Sequence, residues 1–273
     1  MPRFVSLVEA AALVPDGATV ALAGNLDMSP LALVRELVRQ GRRGLRLVLV
    51  PSGGLAADLL IGAGVAESAE FGSVHLGEYG VAPAFKRLVE AGKFRPLDSG
   101  CPAVLAGLQA GALGVPFMPV RGFLGTDYLK VRPEFRVIEN PYNPGEPVVV
   151  VPAVRPDFAL IHGFRADAQG NVLTDPTQDA GLMARASRCT VVTVEEVQKS
   201  PLERGPGFVA AFYVGAVVVA PGGARPGACP GYYGRDEAEI KAYVDLARTE
   251  TGFREYLTRY LLRPQAYGMG LPG

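Results

Sequence analysis

The stretch TVALAGNLDMSPLALVRELV, Thr19 to Val38, reads in order as a strand, a glycine-containing turn and a helix. Thr19 to Ala23 is a short apolar run with β-branched members, and Gly24 and Asn25 are residue types that accept unusual turn dihedrals. Ser29 suits a helix N-cap and Pro30 the first helical position. Leu31, Val34, Leu37 and Val38 recur at helical spacing, so the helix has one apolar face. This is half of a βαβ unit. It sets a loop and a helix N-terminus at the carboxyl edge of a strand, where open α/β sheets bind ligands and free backbone N–H groups suit anions.

The unit recurs outward from there. Leu45 to Val50 is the continuous apolar run of a strand buried on both faces, followed by the turn residues Pro51, Ser52, Gly53 and Gly54 and the helix-like LAADLLIGAG. A third copy has a short strand at Ser73 to Leu76, the loop GEYG and a helix from Pro83 to Glu90 that Gly92 can end. Phe94 to Asp98 then leads through Ser99, Gly100 and Pro102 into AVLAGLQAGALG and on to VPFMPVRG. Residues 124–147 are rich in Pro, Asn and Gly and read as an irregular excursion with one edge strand at Phe135 to Ile138. Strands are expected at 148–153, 158–163, 170–173, 189–194 and 216–220, with a helix starting at Asp175 or Thr177. Helices at 236–248 and 253–262 close the chain, and the N-terminal residues read as an amphipathic helix that Glu9 interrupts and Pro15 and Gly17 close. This alternation predicts an α/β fold, an open, mostly parallel sheet with helices on both faces, in a single domain.

Composition narrows the function. The chain has 273 residues, enough to bury a large core without disulfides or metals. Its charged fraction of 20% is below the usual value of about 25%. Tight loops would explain that, and so would an extensive interface with another chain. A net charge of zero argues against nucleic acid as a partner. Cys101, Cys189 and Cys229 lie far apart and form no C-x-x-C, so they read as reduced thiols. The N-terminus lacks the apolar block of a signal peptide, and Phe208 to Pro221, the longest apolar run, falls short of the about 20 residues that span a bilayer. A cytoplasmic protein with no membrane partner is expected.

Familiar catalytic motifs are absent. There is no G-x-x-x-x-G-K-[ST], and Gly24 lacks the spaced glycines of a dinucleotide fingerprint. His75 and His162 are the only histidines and neither sits in H-E-x-x-H, so no metal site is expected and each reads as a hydrogen-bonded packing residue. Ser52, in P-S-G-G, lacks the G-x-S-x-G elbow and reads as a turn residue or N-cap. The chain supplies loops without an activated nucleophile.

The segments DGATVALAGN, PSGGLAADLLIGAG, PAFKRLVEAG, GVPFMPVRG, ADAQGN, VVTVEEV and APGGARPG followed by YYGRDE, in this order, resemble the alpha (A-type) subunit of family I CoA-transferases, nearest the glutaconate CoA-transferase branch. The likeness covers almost the whole chain. It implies a single CoA-transferase-like domain over residues 1–273 and a hetero-oligomer with a B-type subunit, the active site lying between the two. It further implies that a glutamate from the B-type chain attacks an acyl-CoA thioester, that CoA thiolate returns to give a glutamyl-CoA thioester, and that an incoming carboxylic acid completes a ping-pong cycle. Coenzyme A is then a substrate, no cofactor is bound, and this chain carries no catalytic nucleophile.

The expected contribution of this chain is the acyl pocket: Gly24 and Asn25 in the first loop, Ser52, Gly53 and Gly54 in the second, Glu78 and Tyr79 in the third, and Arg121 with Gly122 after GVPFMPV. Arg121 is well shaped for a bidentate carboxylate contact or a CoA phosphate. Each has a rival reading: the glycines as plain turns, Glu78 as a solvated or helix-terminal charge, Arg121 as an interface ion pair. Cys229, Tyr232 and Tyr233 read as packing or interface residues. Asp27, Met28 and Ser29 stand where glutaconate-type chains carry basic residues, which speaks against recognition of a second substrate carboxylate in this loop. VRG and PGGA…YGRDE also resemble a sister branch of acyl-CoA ring-opening hydrolases, whose alpha-type chain is expected to carry an acidic residue near the segment 98–101. Only Asp98 meets that requirement. An acyl-CoA-binding module without catalysis is the remaining alternative.

Overall fold

The computed structural model describes residues 2–50 and 52–261; Pro51 of the second turn and the expected helix end at Leu262 lie outside the described residues. Its main sheet runs in the order Arg3–Phe4, Val214–Val219, Cys189–Gln198, Phe158–Asp167, Thr19–Ala23, Leu45–Val50, Ala66–Phe71, Arg95–Asp98. All of these neighbours pair in parallel. The chain builds outward from Thr19–Ala23 on one side, then returns to add Phe158–Asp167 on the other. That reversal is the topological switch point of the sheet.

Alternate side chains serve two cores. Val20, Leu22, Leu45, Leu47 and Leu49 enter the larger one, beneath helices Leu31–Arg39, Leu55–Gly62 and Glu237–Leu246. Ala21, Ala23, Val48 and Val50 face the other, beneath Gly100–Leu113 and Ala180–Ala186. The open α/β architecture with helices on both faces is therefore the one expected.

Local details differ. The third βα unit uses Ala66–Phe71 as its main-sheet strand, whereas the expected strand at 73–76 is only the two-residue Ser73–Val74, paired with Ser52–Gly53 in a separate ribbon. Helix-favouring Ala66, Glu67 and Glu70 become strand residues because the sheet supplies partners on both sides, and Glu70 meets Arg132 at 2.9 Å. The strand expected at 148–153 is Pro147–Pro152, at the centre of a small antiparallel sheet with Phe117–Val120 and Arg136–Glu139, not in the main sheet. The 124–147 excursion carries the Arg136–Glu139 edge strand and the short helix Tyr128–Val131. Ser29 is buried with Oγ 3.5 Å from the Ala23 carbonyl, so the helix begins one residue later than expected, with Pro30 in the cap position. The helix expected from Asp175 or Thr177 begins at Ala180, after a tight turn over Pro176–Gln178 that Asp175 caps. Glu9 is no interruption: it closes a capping box with Ser6.

One buried acid ties three helices together. Asp58 accepts from Ala84 N at 3.1 Å, Phe85 N at 2.6 Å and the Tyr243 hydroxyl at 2.6 Å. Burial pushes its carboxyl up to about 6 despite these donors. A carboxyl raised on folding stabilises the fold most below its unfolded value, and that contribution is lost as pH rises through the folded one. Asp58→Asn is thus expected to flatten the dependence of stability on pH between roughly 4 and 6. Urea melts of both proteins across that window provide the check.

Candidate functional site

Three loops meet beside the switch point. Gly24 opens the first at φ 93°, and a Cβ there would lie 2.3 Å from Ser29 Oγ and 2.9 Å from the Asp27 carbonyl, so only glycine fits. The second loop packs directly on the first: Leu55 N donates to the Asn25 carbonyl at 3.0 Å, and a Cβ on Gly54 would fall 1.4 Å from that same oxygen. Ser52 Oγ lies 2.7 Å from Ser73 Oγ, and His75 N donates to the Gly53 carbonyl at 2.9 Å, which joins the second loop to the third.

Asn25 and His75 fix one another's orientation. Gly77 N donates to His75 Nδ1 at 3.0 Å, so that nitrogen is an acceptor and the ring proton sits on Nε2. The neighbour at 3.1 Å must therefore be the Asn25 amide nitrogen, which leaves Asn25 Oδ1 buried and without a hydrogen-bond partner among the described residues. An orphaned buried acceptor among converging glycine loops is a place for a ligand donor.

Arg235 ties the first loop to the third. Its Nε and Nη2 each lie 2.8 Å from the two oxygens of Asp27, and Nη1 lies 2.5 Å from Glu78. Ala228 N also donates to Asp27 at 2.9 Å, and Met28 N to the Ala228 carbonyl at 2.9 Å. Partial burial opposes ionisation of Asp27, but Arg235 and the Ala228 N–H prevail and hold the carboxyl below its ordinary value. The basic group that the first loop lacks in sequence arrives from 208 positions further on. Tyr79, by contrast, packs against the larger core.

Beneath the loops lies a buried polar network. Glu195 Oε1 takes hydrogen bonds from His162 Nε2 at 2.9 Å and the Tyr233 hydroxyl at 2.6 Å, and Oε2 takes one from Gly222 N at 2.7 Å. His162 Nδ1 lies 2.8 Å from Thr193 Oγ1. Burial raises the Glu195 carboxyl, but these donors outweigh it and hold it below its ordinary value. Cys229 completes the cluster, its thiol pushed up to about 12 by burial and then by the Glu195 and Asp175 charges. The donor atoms of His162, Glu195 and Cys229 lie within 4.8 Å of one another, a metal-like set. His162 and Glu195 are nevertheless already taken up by each other, Tyr233, Thr193 and Gly222, and the thiol is protonated, so the cluster fits a polar support better than an ion cradle.

The structure thus brings together Gly24, Asn25, Ser52, Gly53, Gly54 and Glu78. Arg121 and Gly122 follow the Phe117–Val120 strand of the small antiparallel sheet, where the exposed Arg121 acts electrostatically on Glu146. Asp98 sits at the end of the Arg95–Asp98 strand and accepts from the Tyr128 hydroxyl at 3.0 Å. His162 is the hydrogen-bonded packing residue expected and Tyr233 packs into the same network, whereas Arg235 and Glu195 escaped sequence reasoning because their neighbours in sequence carry no catalytic pattern. Their one signal was that VVTVEEV and YYGRDE both belong to the resemblance. No helix among the described residues is long and apolar enough to cross a membrane.

A family model described as coenzyme A transferase matches residues 4–217. The chain is 35% identical over 279 residues to the alpha-type chain of the 3-oxoadipate CoA-transferase of Pseudomonas knackmussii, covering 96% of this chain and 94% of that one. It is 32% identical over 278 residues to the cholesterol ring-cleaving hydrolase IpdA subunit of Mycobacterium tuberculosis, again 96% of this chain and 94% of the other. Its fold superposes on the crystal structure of glutaconate coenzyme A-transferase from Acidaminococcus fermentans with a TM-score of 0.90 at 29% identity, over 97% of this chain and 90% of that one. With the family model spanning most of the sheet and relatives aligned along nearly its full length, the chain belongs to the coenzyme A transferase family.

Proposed function

We propose that this chain is the alpha-type subunit of a heteromeric CoA-transferase that moves CoA between an acyl-CoA and a short or medium carboxylic acid. The observation that carries the reading is Asn25 Oδ1, a buried acceptor without a partner among the described residues where three glycine loops converge at the switch point. Among the described residues no group near it is poised to attack a thioester: the Asp27 and Glu78 carboxylates are held by Arg235. Ser52 is engaged with Ser73, His75 Nδ1 is occupied by two donors, and the Cys229 thiol is protonated and buried. The reacting carboxylate then comes from a B-type partner, as do the residues that complete the pocket.

In that arrangement a partner glutamate attacks the thioester carbonyl, the thiolate of CoA leaves, and a mixed anhydride forms. The thiolate attacks the glutamyl carbonyl of the anhydride, releasing the acid and leaving a glutamyl-CoA thioester. An incoming carboxylate reverses both steps. This chain contributes walls that exclude water, and Asn25 Oδ1 accepts a hydrogen bond from an amide N–H of the bound thioester arm. Reconstitution with the partner tests this: hydroxylamine or borohydride is expected to trap a glutamyl thioester on the partner, with this chain alone inactive. Transfer by the chain alone at the rate of the complex would end the proposal.

A second reading, subunit of an acyl-CoA hydrolase, draws on Asp98, an exposed carboxylate at a strand end in a chain similar to a ring-cleaving hydrolase subunit. Turnover with water and no covalent adduct would favour it. Under the transferase reading, Asn25→Ala is expected to lower kcat/KM of the complex about tenfold while leaving stability within about 1 kcal/mol. Steady-state kinetics and urea melts on the same preparation measure both.

A further inference from the structure

The first loop is shaped by a distant segment. Met28, in that loop, is buried at φ 54°, a conformation that a residue other than glycine keeps only where its surroundings impose it. The imposing contacts come from residues 222–236. The Ala228 carbonyl accepts from Met28 N at 2.9 Å, Ala228 N donates to Asp27 Oδ1 at 2.9 Å, and Ala32 N, at the start of the following helix, donates to the Gly223 carbonyl at 2.8 Å. At Gly227 the two segments approach so closely that a Cβ would fall 1.7 Å from the Leu26 carbonyl oxygen.

Cys229 N donates to the Tyr233 carbonyl at 3.1 Å and Tyr233 N to the Cys229 carbonyl at 3.0 Å, a closed turn that brings Arg235 back to the same Asp27 oxygen as Ala228 N. Below, the Tyr233 hydroxyl accepts from Ala224 N at 3.0 Å and donates to Glu195 at 2.6 Å. Arg235 closes the segment over the loops. Its Nε and Nη2 are engaged by Asp27 and its Nη1 by Glu78, so the guanidinium is committed to this chain's own carboxylates. An exposed ion pair by itself stabilises little, but a fork that bridges two carboxylates fixes geometry. Without it Asp27 and Glu78 face each other as like charges on the first and third loops. The 3.1 Å contact between Asn25 and His75 spans those same loops, so their separation releases the Asn25 amide.

We propose that Arg235 is a positioning residue. By latching residues 222–236 over the first loop it holds Met28 at positive φ and keeps the Asn25 amide in the orientation that offers Oδ1 as the ligand acceptor, without itself touching substrate. The consequence for turnover rests on the transferase reading; the latch does not.

The test is a double-mutant cycle in the reconstituted complex. Arg235→Ala is expected to lower kcat/KM for the acyl-CoA about tenfold, as Asn25→Ala does, and the double variant to lose about tenfold rather than about 100-fold, because both act through one amide. Arg235→Lys keeps the charge but lacks the fork. It is expected to lose about threefold alone and nothing further when added to Asn25→Ala, so the cycle can be read even where the alanine variant does not assemble. Arg254→Ala, which breaks an exposed ion pair with Glu250, is the control and is expected to match the wild type. Wild-type kinetics in Arg235→Ala, losses that multiply in the double variant, or a raised KM confined to the acid substrate overturns the proposal. Hydrogen exchange supplies a readout that needs no turnover: Arg235→Ala is expected to speed exchange of the Met28 N–H in the complex about tenfold. The two claims fail separately. A complex that transfers CoA but keeps its Met28 protection in Arg235→Ala removes only the latch. A complex that loses this protection yet transfers no CoA removes only the transferase reading.

Discussion

Replacing Glu195 with alanine is expected to lower stability by about 3–5 kcal/mol, because it breaks a buried pair and strands its donors. The Glu195 carboxylate accepts from His162, Tyr233 and the Gly222 N–H, all in the polar layer beneath the loops. Without it three donors face an apolar void that solvent cannot reach, and the return of the chain at Gly222 loses its anchor. For a domain of this size the melting temperature should fall by roughly 10 °C. The sign of the pH dependence gives a second readout. The Glu195 carboxyl is held below its ordinary value, so its contribution is present above the unfolded carboxylate pKa and is lost as pH falls through the folded one. The stability gap between wild type and Glu195→Gln should therefore narrow on acidification below the usual carboxylate range. A gap that stays constant through and below that range would mean the charge has no part in holding the layer.

The second large effect is expected at Gly54. A methyl there would stand 1.4 Å from the carbonyl oxygen and 2.1 Å from the carbonyl carbon of Asn25. Both are backbone atoms and cannot rotate aside, so the first two loops must separate by more than an ångström. Such a displacement costs about 100-fold in rate where it misplaces a reacting group, and overpacking of this kind about 1–3 kcal/mol in stability. Gly54→Ala should thus reduce kcat/KM of the complex about 100-fold while remaining folded. Steady-state kinetics with circular dichroism decides it, and near-normal turnover would place the acyl group away from this junction.

Both predictions concern contacts between distant segments that no single stretch of sequence reveals. Elements whose pattern is local were legible: Thr19–Ala23, Leu45–Val50 and Cys189–Gln198 are apolar runs bounded by turn residues, and Leu31–Arg39 announces its apolar face. Ala66–Phe71 was not, because its residues favour helix and became a strand only between two existing strands. Nor was the destination of Pro147–Pro152, since a run of valines satisfies either sheet.

The candidate site divides the same way. Gly24, Asn25, Ser52, Gly53 and Gly54 could be named because glycine turns after strands are visible in the sequence, and parallel topology gathers strand ends at one edge. Arg235 and Asp27 are separated by 208 positions, and nothing near either residue marks the other. His162, Glu195 and Tyr233 come from two strands and a distant loop. Arg121 showed the opposite limit: a basic residue after an apolar run was legible, but its sheet was not. By itself, then, the sequence determined the alternation of strand and helix and the edge at which loops collect, both of which follow from short-range periodicity and turn chemistry. Tertiary structure alone decided which charges meet and which buried groups pair, because those depend on close approach between segments far apart in the chain.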